Sequence, residues 1–172
     1  MRSLTLIATA MVAAPGSIRR RDMLRRALES PPFLISPASE ELLSLCDIAL
    51  THDSYVNEER DRTGIAMADN ERLEFLGDAV LELTVREHLF MSTVCKEGEL
   101  TLRLQGLISN SSLAARLRGL PLDLEALVLT GEGHRGLSDR MLAGAFEALM
   151  GAIYITEGLE AARKVCLRAV IP

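Results

Sequence analysis

The sequence contains no Trp, two Tyr and four Phe in 172 residues, so aromatics make up only 3%. A core built instead from Leu, Ala, Val and Met points to helices rather than a β-sandwich. No segment shows the alternation of a half-buried strand. No apolar run approaches the roughly 20 residues that span a bilayer, so no membrane role is expected. Cysteines number three, Cys46, Cys95 and Cys166, widely spaced. An odd, scattered set excludes a disulfide framework and a Cys-based zinc site. It predicts buried, reduced thiols and a reducing compartment such as the cytoplasm.

A basic excess is missing too. The formal charge is −5, and it is unevenly spread. Residues 1–21 hold Arg2, Arg19, Arg20 and Arg21 and no acid, whereas residues 22–172 carry 15 basic against 24 acidic residues, a net −9. A free-standing nucleic-acid binder normally shows the opposite balance. Such a body acts on nucleic acid only if its acids gather around metal ions. With hydrophobic residues at 48% and charged residues at 25%, the chain is neither disordered nor of low complexity. Its length suits one domain with a short tail.

We divide the chain into an N-terminal extension, residues 1–21, and one domain, residues 22–172. The extension pairs an apolar stretch, Leu4–Ala14, with Pro15-Gly16 and Arg19–Arg21. Three readings fit it: a variable segment that packs or frays, an organelle (mitochondrial) transit segment, or a secretory signal. The free cysteines weigh against secretion. The arginine run serves either as solvated tail charge or as phosphate contacts.

Pattern and caps predict a short helix over 22–30, stopped by Pro31-Pro32, and a second over 40–50 with Ser39 as N-cap. Residues 53–69 are polar and read as loop. A helix is expected from Asn70 to about Met91, and one long helix over 99–117. A helix over 139–156, capped by Ser138 or Asp139, is broken by Gly158, and a last one runs to about Ala169. The glycine-rich Gly131–Gly136 loop lacks the Lys-Ser/Thr ending of a phosphate-binding loop and follows no strand. The chain therefore reads as all-α.

Two of these helices carry acids on otherwise apolar faces. Glu74 and Asp78 stand four residues apart, one turn from each other on one face. Like charges at that spacing repel unless a cation lies between them. Glu147 is the one acid in the run MLAGAFEALMGAIY, and burying it unpaired would be costly. Two solutions satisfy all three acids. One is ion pairing with Arg72, Arg103 or another arginine; the other is a hard divalent cation, Mg²⁺ or Mn²⁺.

The run Asn70–Leu83, NERLEFLGDAVLEL, resembles the signature segment of the ribonuclease III family. ALTHDSY (Ala49–Tyr55), EGEL (Glu97–Leu100), LISNSSLA (Leu107–Ala114) and LAGAFEALMGAIYITEGLEAARK (Leu142–Lys164) resemble its neighbouring segments in the same order. The likeness covers residues 40–168. It implies a ribonuclease III-like endonuclease domain: an all-α dimer that hydrolyses phosphodiester bonds of double-stranded RNA, as in rRNA or precursor-RNA processing. In that family four carboxylates per site bind Mg²⁺, and Glu74, Asp78 and Glu147 match three of them. A two-ion scheme is implied, in which the ions activate the attacking water and stabilise the leaving oxygen. Glu74 and Glu147 would hold ions directly, and Asp78 an ion or its water. Glu71 and Glu97 match acids near the cleavage site. Phe75 matches an aromatic at the dimer interface; on pattern alone it is equally a core residue. His52 reads as a structural hydrogen-bonding residue, and His88 and His134 have no evident partner.

Two departures stand out. The family's fourth carboxylate is an aspartate three residues before Glu147, where this chain has Gly144. Glycine inside a helix costs about 1 kcal/mol relative to alanine, so it is no obvious stability choice. The double-stranded-RNA-binding domain of bacterial members has no counterpart before Pro172. Two functions are therefore expected in competition. The first is an endoribonuclease with a weakened metal site and impaired or lost activity. The second is an inactive ribonuclease III-like module that dimerises and binds structured RNA or a ribonucleoprotein.

Overall fold

In the computed structural model, residues 18–134 and 136–172 are described. The apolar stretch invoked for targeting lies outside them. The described chain is helical: α1 (Ile18–Glu29), α2 (Glu40–Ala49), α3 (Asp53–Thr63), α4 (Glu71–Ser92), α5 (Glu97–Ile108), α6 (Asn110–Arg118), α7 (Asp139–Glu157) and α8 (Leu159–Val170), with a 3₁₀ turn at Glu125–Leu127. No described helix is long and apolar enough to cross a membrane.

Helix α7 is the axis of the fold. It packs against α2, α4, α6 and α8, most extensively against α4. Every residue from Leu142 to Ile153 except Glu147 is buried. A helix enclosed on all sides must be apolar all round, which accounts for the charge-poor run and isolates its one acid. Ser138 caps α7 as expected, its side chain accepting from the Met141 amide at 3.2 Å. Ser39 does the same for α2, from the Leu42 amide at 3.1 Å.

Three sequence expectations need correction. Residues 53–63 form a helix rather than a loop. It has almost no apolar face, so periodicity could not reveal it. Its ends hold it instead: the His52 ring accepts from the Ser54 amide at 3.2 Å, and Gly64, at φ 73°, closes the C-terminus in the left-handed region that glycine adopts freely. The long helix over 99–117 is two helices, broken at Ser109, whose ψ of 147° leaves the helical region. Helix α1 begins at Ile18, so all three arginines of the Arg19–Arg21 run are built into it rather than lying in a tail. Arg20 donates through Nε to the buried Asp47 carboxylate and through Nη1 to the Leu127 carbonyl, while Arg21 pairs with Glu40.

Cys46 and Cys166 are buried and Cys95 half-buried, all as free thiols. Burial pushes Cys46 up and Cys166 up to about 12, so both stay protonated.

Candidate metal and RNA-cleavage site

Helices α4 and α7 cross with their backbones in contact. A Cβ on Gly77 would lie far inside contact distance of the Glu147 carbonyl, and one on Gly151 would strike the Leu73 carbonyl. This approach sets Glu74 and Asp78 of α4 beside Glu147 of α7. All three line one cleft of about 490 Å³, with His52, Asp53, Asn70, Glu71, Phe75, Arg140 and Met141 completing its wall.

The far wall is fixed by a small crossover. The Thr51–Leu129 bridge lets the His52 amide donate to the Leu129 carbonyl at 3.0 Å, and the Asn70 amide to the Thr51 carbonyl at 2.9 Å. Asn70 is thereby buried at the start of α4, and its Nδ2 reaches the Glu74 carboxylate at 3.5 Å. His52, which caps α3, also faces Asp53, Nδ1 to Oδ1 at 2.7 Å.

Burial and mutual repulsion between carboxylates dominate the electrostatics of the cleft. Burial raises the Glu147 carboxyl to about 8, and the charges of Asp78 and Glu74 push the same way. Burial also raises the Glu74 carboxyl; Arg140 opposes that rise, while Glu71 and Asp78 add to it. Among the described residues no ion pair reaches Glu74, Asp78 or Glu147, and Arg103 is engaged by Glu99 instead, at 2.7 Å. The ion-pair solution offered by the sequence is therefore not the one adopted by the described residues. Converging carboxylates without a partner cation are the donor chemistry that a hard divalent ion takes.

Gly144 shows its consequence directly. A Cβ there would lie 2.6 Å from Glu74 Oε2 and 3.0 Å from Oε1. The Glu74 carboxylate thus occupies the space that a side chain at 144 would claim. Among the described residues no three His, Cys, Asp or Glu side chains close around a common point as metal ligands. The donors fit a divalent cation in kind, but with too few protein ligands to enclose it; waters complete the shell of Mg²⁺ readily.

The structure brings together Glu71, Glu74, Asp78 and Glu147 from the sequence-derived set, with Phe75 at the rim and 83% exposed. That exposure removes the reading of Phe75 as a core residue. Glu97 is not in the cleft; it sits at the start of α5, accepting from the Thr101 hydroxyl at 3.2 Å. Sequence reasoning missed Arg140, Asn70 and Met141. The signal for Arg140 was present, since positions 140, 144 and 147 fall on one face of α7.

Comparison with known proteins agrees with this geometry. A family model described as Ribonuclease-III-like matches residues 43–172. Ribonuclease 3 of Oleidesulfovibrio alaskensis is 47% identical over 126 residues, covering 72% of this chain and 53% of that protein. Ribonuclease 3 of Desulforamulus reducens is 46% identical over 129 residues, covering 72% and 51%. The chain thus spans about half the length of these curated relatives. A nuclease domain of ribonuclease III from Campylobacter jejuni, described for structural flexibility in a region involved in dimer formation, superposes with a TM-score of 0.68. It is 31% identical, with 86% of this chain and 94% of that one covered. A shared helical fold, the acidic cleft between α4 and α7 and a family match over most of the chain lead to one conclusion: the chain belongs to the ribonuclease III-like family.

Proposed function

We propose that this chain is a divalent-metal-dependent endoribonuclease that hydrolyses phosphodiester bonds in double-stranded RNA, such as ribosomal or precursor RNA, with a site weakened by Gly144. The observation that carries this reading is the cleft itself. Three carboxylates from two helices face it, and burial raises the most buried of them, Glu147, to about 8.

Glu74 and Glu147 would hold Mg²⁺ or Mn²⁺ directly, and Asp78 would hold an ion or its water. When bound, the ion supplies the charge that activates the attacking water and stabilises the leaving oxygen. The chain's own residues supply the rest. Asn70 restrains the Glu74 carboxylate, and the Gly77 contact fixes the spacing of α4 and α7. Glu71 and Glu97 act near the cleavage position, and Phe75 packs against a second copy in a homodimer. The three free thiols suit the cytoplasm; an organelle is the alternative if residues 1–21 direct import.

One observation favours a second reading. With Gly144 absent as a ligand and Glu74 leaning into its place, the domain would instead serve as a dimerising module for structured RNA or a ribonucleoprotein. Cleavage of a labelled RNA duplex in Mg²⁺ and in Mn²⁺ separates the two. The endonuclease reading expects cutting by the unmodified chain, lost in Glu147→Ala and strengthened in Gly144→Asp. Cutting by Gly144→Asp alone would leave the unmodified chain as the silent module. No cutting by any of the three would sink the endonuclease reading.

A further inference from the structure

Arg140 is the one arginine or lysine among the described residues lining the cleft. It lies one helical turn before Gly144 and two before Glu147, on the same face of α7. It is exposed, and no described carboxylate forms an ion pair with it, although Glu71, Glu74, Asp78 and Glu147 share the same cavity. It shares that wall with Glu74, the carboxylate that fills the Gly144 notch.

The charge arithmetic is informative. Consider the same cleft with an aspartate at 144 and no arginine at 140. Relative to it, this chain loses one negative charge at Gly144 and gains one positive charge at Arg140. The cleft is two units less negative, which is the charge of one divalent cation. A second ion added to such a cleft meets a repulsive guanidinium and one ligand fewer. Carboxylates gathered in one cleft tolerate neither a large excess nor a large deficit of cation charge.

We propose that the cleft loads one divalent cation per chain rather than two, with Arg140 supplying, against Glu74, the positive charge that a second ion would bring. Arg140 is a positioning residue: its charge faces the carboxylates of the same cleft, and the single ion is left to Glu74 and Glu147, with Asp78 on the ion or its water. This inference rests on the metal-dependent reading above, and it concerns how many ions that reading needs.

The test counts ions instead of measuring cleavage. Mn²⁺ is titrated into the full chain, and free Mn²⁺ is followed by its paramagnetic resonance signal. The unmodified chain is expected to bind one Mn²⁺. Arg140→Lys keeps that count, Arg140→Gln adds a second, weaker ion, and Arg140→Gln with Gly144→Asp binds two. Thermal melting of each variant confirms folding, which the exposed position of Arg140 favours. Two ions on the unmodified chain overturn this inference and leave the metal-dependent reading standing. A count of one in every variant also overturns it, since Arg140 would then not govern loading. No Mn²⁺ on the unmodified chain overturns the metal-dependent reading and this inference together.

Discussion

At Gly77 and Gly151 the backbones of α4 and α7 touch, whereas at Gly144, two turns earlier along α7, the same pair of helices leaves a gap filled by a carboxylate. The first two glycines are imposed by packing, because the atoms they face are main-chain carbonyls that cannot yield. The third is not, because the atoms it faces are the far end of the flexible Glu74 side chain. Glycine at 144 is therefore a matter of what the cleft binds, and glycine at 77 and 151 a matter of whether the cleft exists.

This contrast can be broken most forcefully at the crossing. Gly77→Ala is expected to cost on the order of 3 kcal/mol or to prevent folding, since the helices must separate to admit the methyl group. Gly151→Ala is expected to cost somewhat less. Urea denaturation gives both values, and a midpoint unchanged in Gly77→Ala would refute the backbone contact.

Next in size is the loss of a ligand without loss of fold. Glu147→Ala is expected to lower the rate of RNA-duplex cleavage by about 100-fold or more, comparable with the loss of one preorganised electrostatic group. Its melting temperature should not fall, because the cost of burying a carboxyl among other acids is removed with it. A variant that cuts at the original rate would take Glu147 out of the site.

The pH dependence of stability sharpens the same point. With its carboxyl raised from an ordinary 4.5 to about 8, metal-free folded protein keeps a proton that the unfolded chain releases. Stability should fall as pH rises from 4.5 to 8 and level off above. Glu147→Gln should flatten that slope, as read by denaturation at a series of pH values in chelator. A slope of equal size in the variant would assign the effect to other groups.

At the notch the expected effect is smaller and of opposite sign to that at the crossing. Gly144→Ala should stabilise the chain by up to about 1 kcal/mol, the helix preference of alanine over glycine, because Glu74 can swing aside. A loss comparable to that in Gly77→Ala would mean that position 144 is as rigidly packed as the crossing. Smallest for stability is Phe75→Ala at the rim: an exposed change within about 0.5 kcal/mol, yet one that should shift a dimer towards monomer in sedimentation velocity. An unaltered sedimentation profile would remove Phe75 from the interface.

The helices that carry the site were legible in the sequence because their apolar faces repeat with helical period. Observed α4 and α7 lie within a residue or so of expectation. Helix α3 was not legible, since it buries only Val56 and is held by its caps. The break at Ser109 was missed because the apolar spacing runs on across it. Among site residues, Glu74, Asp78 and Glu147 showed themselves as acids on apolar faces, whereas Arg140 looked like any surface arginine at the start of a helix. Glu97 carried a family signal but lies outside the cleft of a single chain.

The helical class, the central apolar helix, the three acids on apolar faces and the departure at position 144 could all be read along the chain. All of these are properties of one residue or of one helix face. It took the packed molecule to bring two helices close enough to set those acids in one cleft. The same packing decided that Glu74 takes the space left by Gly144, that Arg140 joins the same wall and that Arg20 docks α1 on Asp47. Each of these depends on groups distant in the chain meeting in space, and the spacing of residues along one helix carries no information about which other helix will face it.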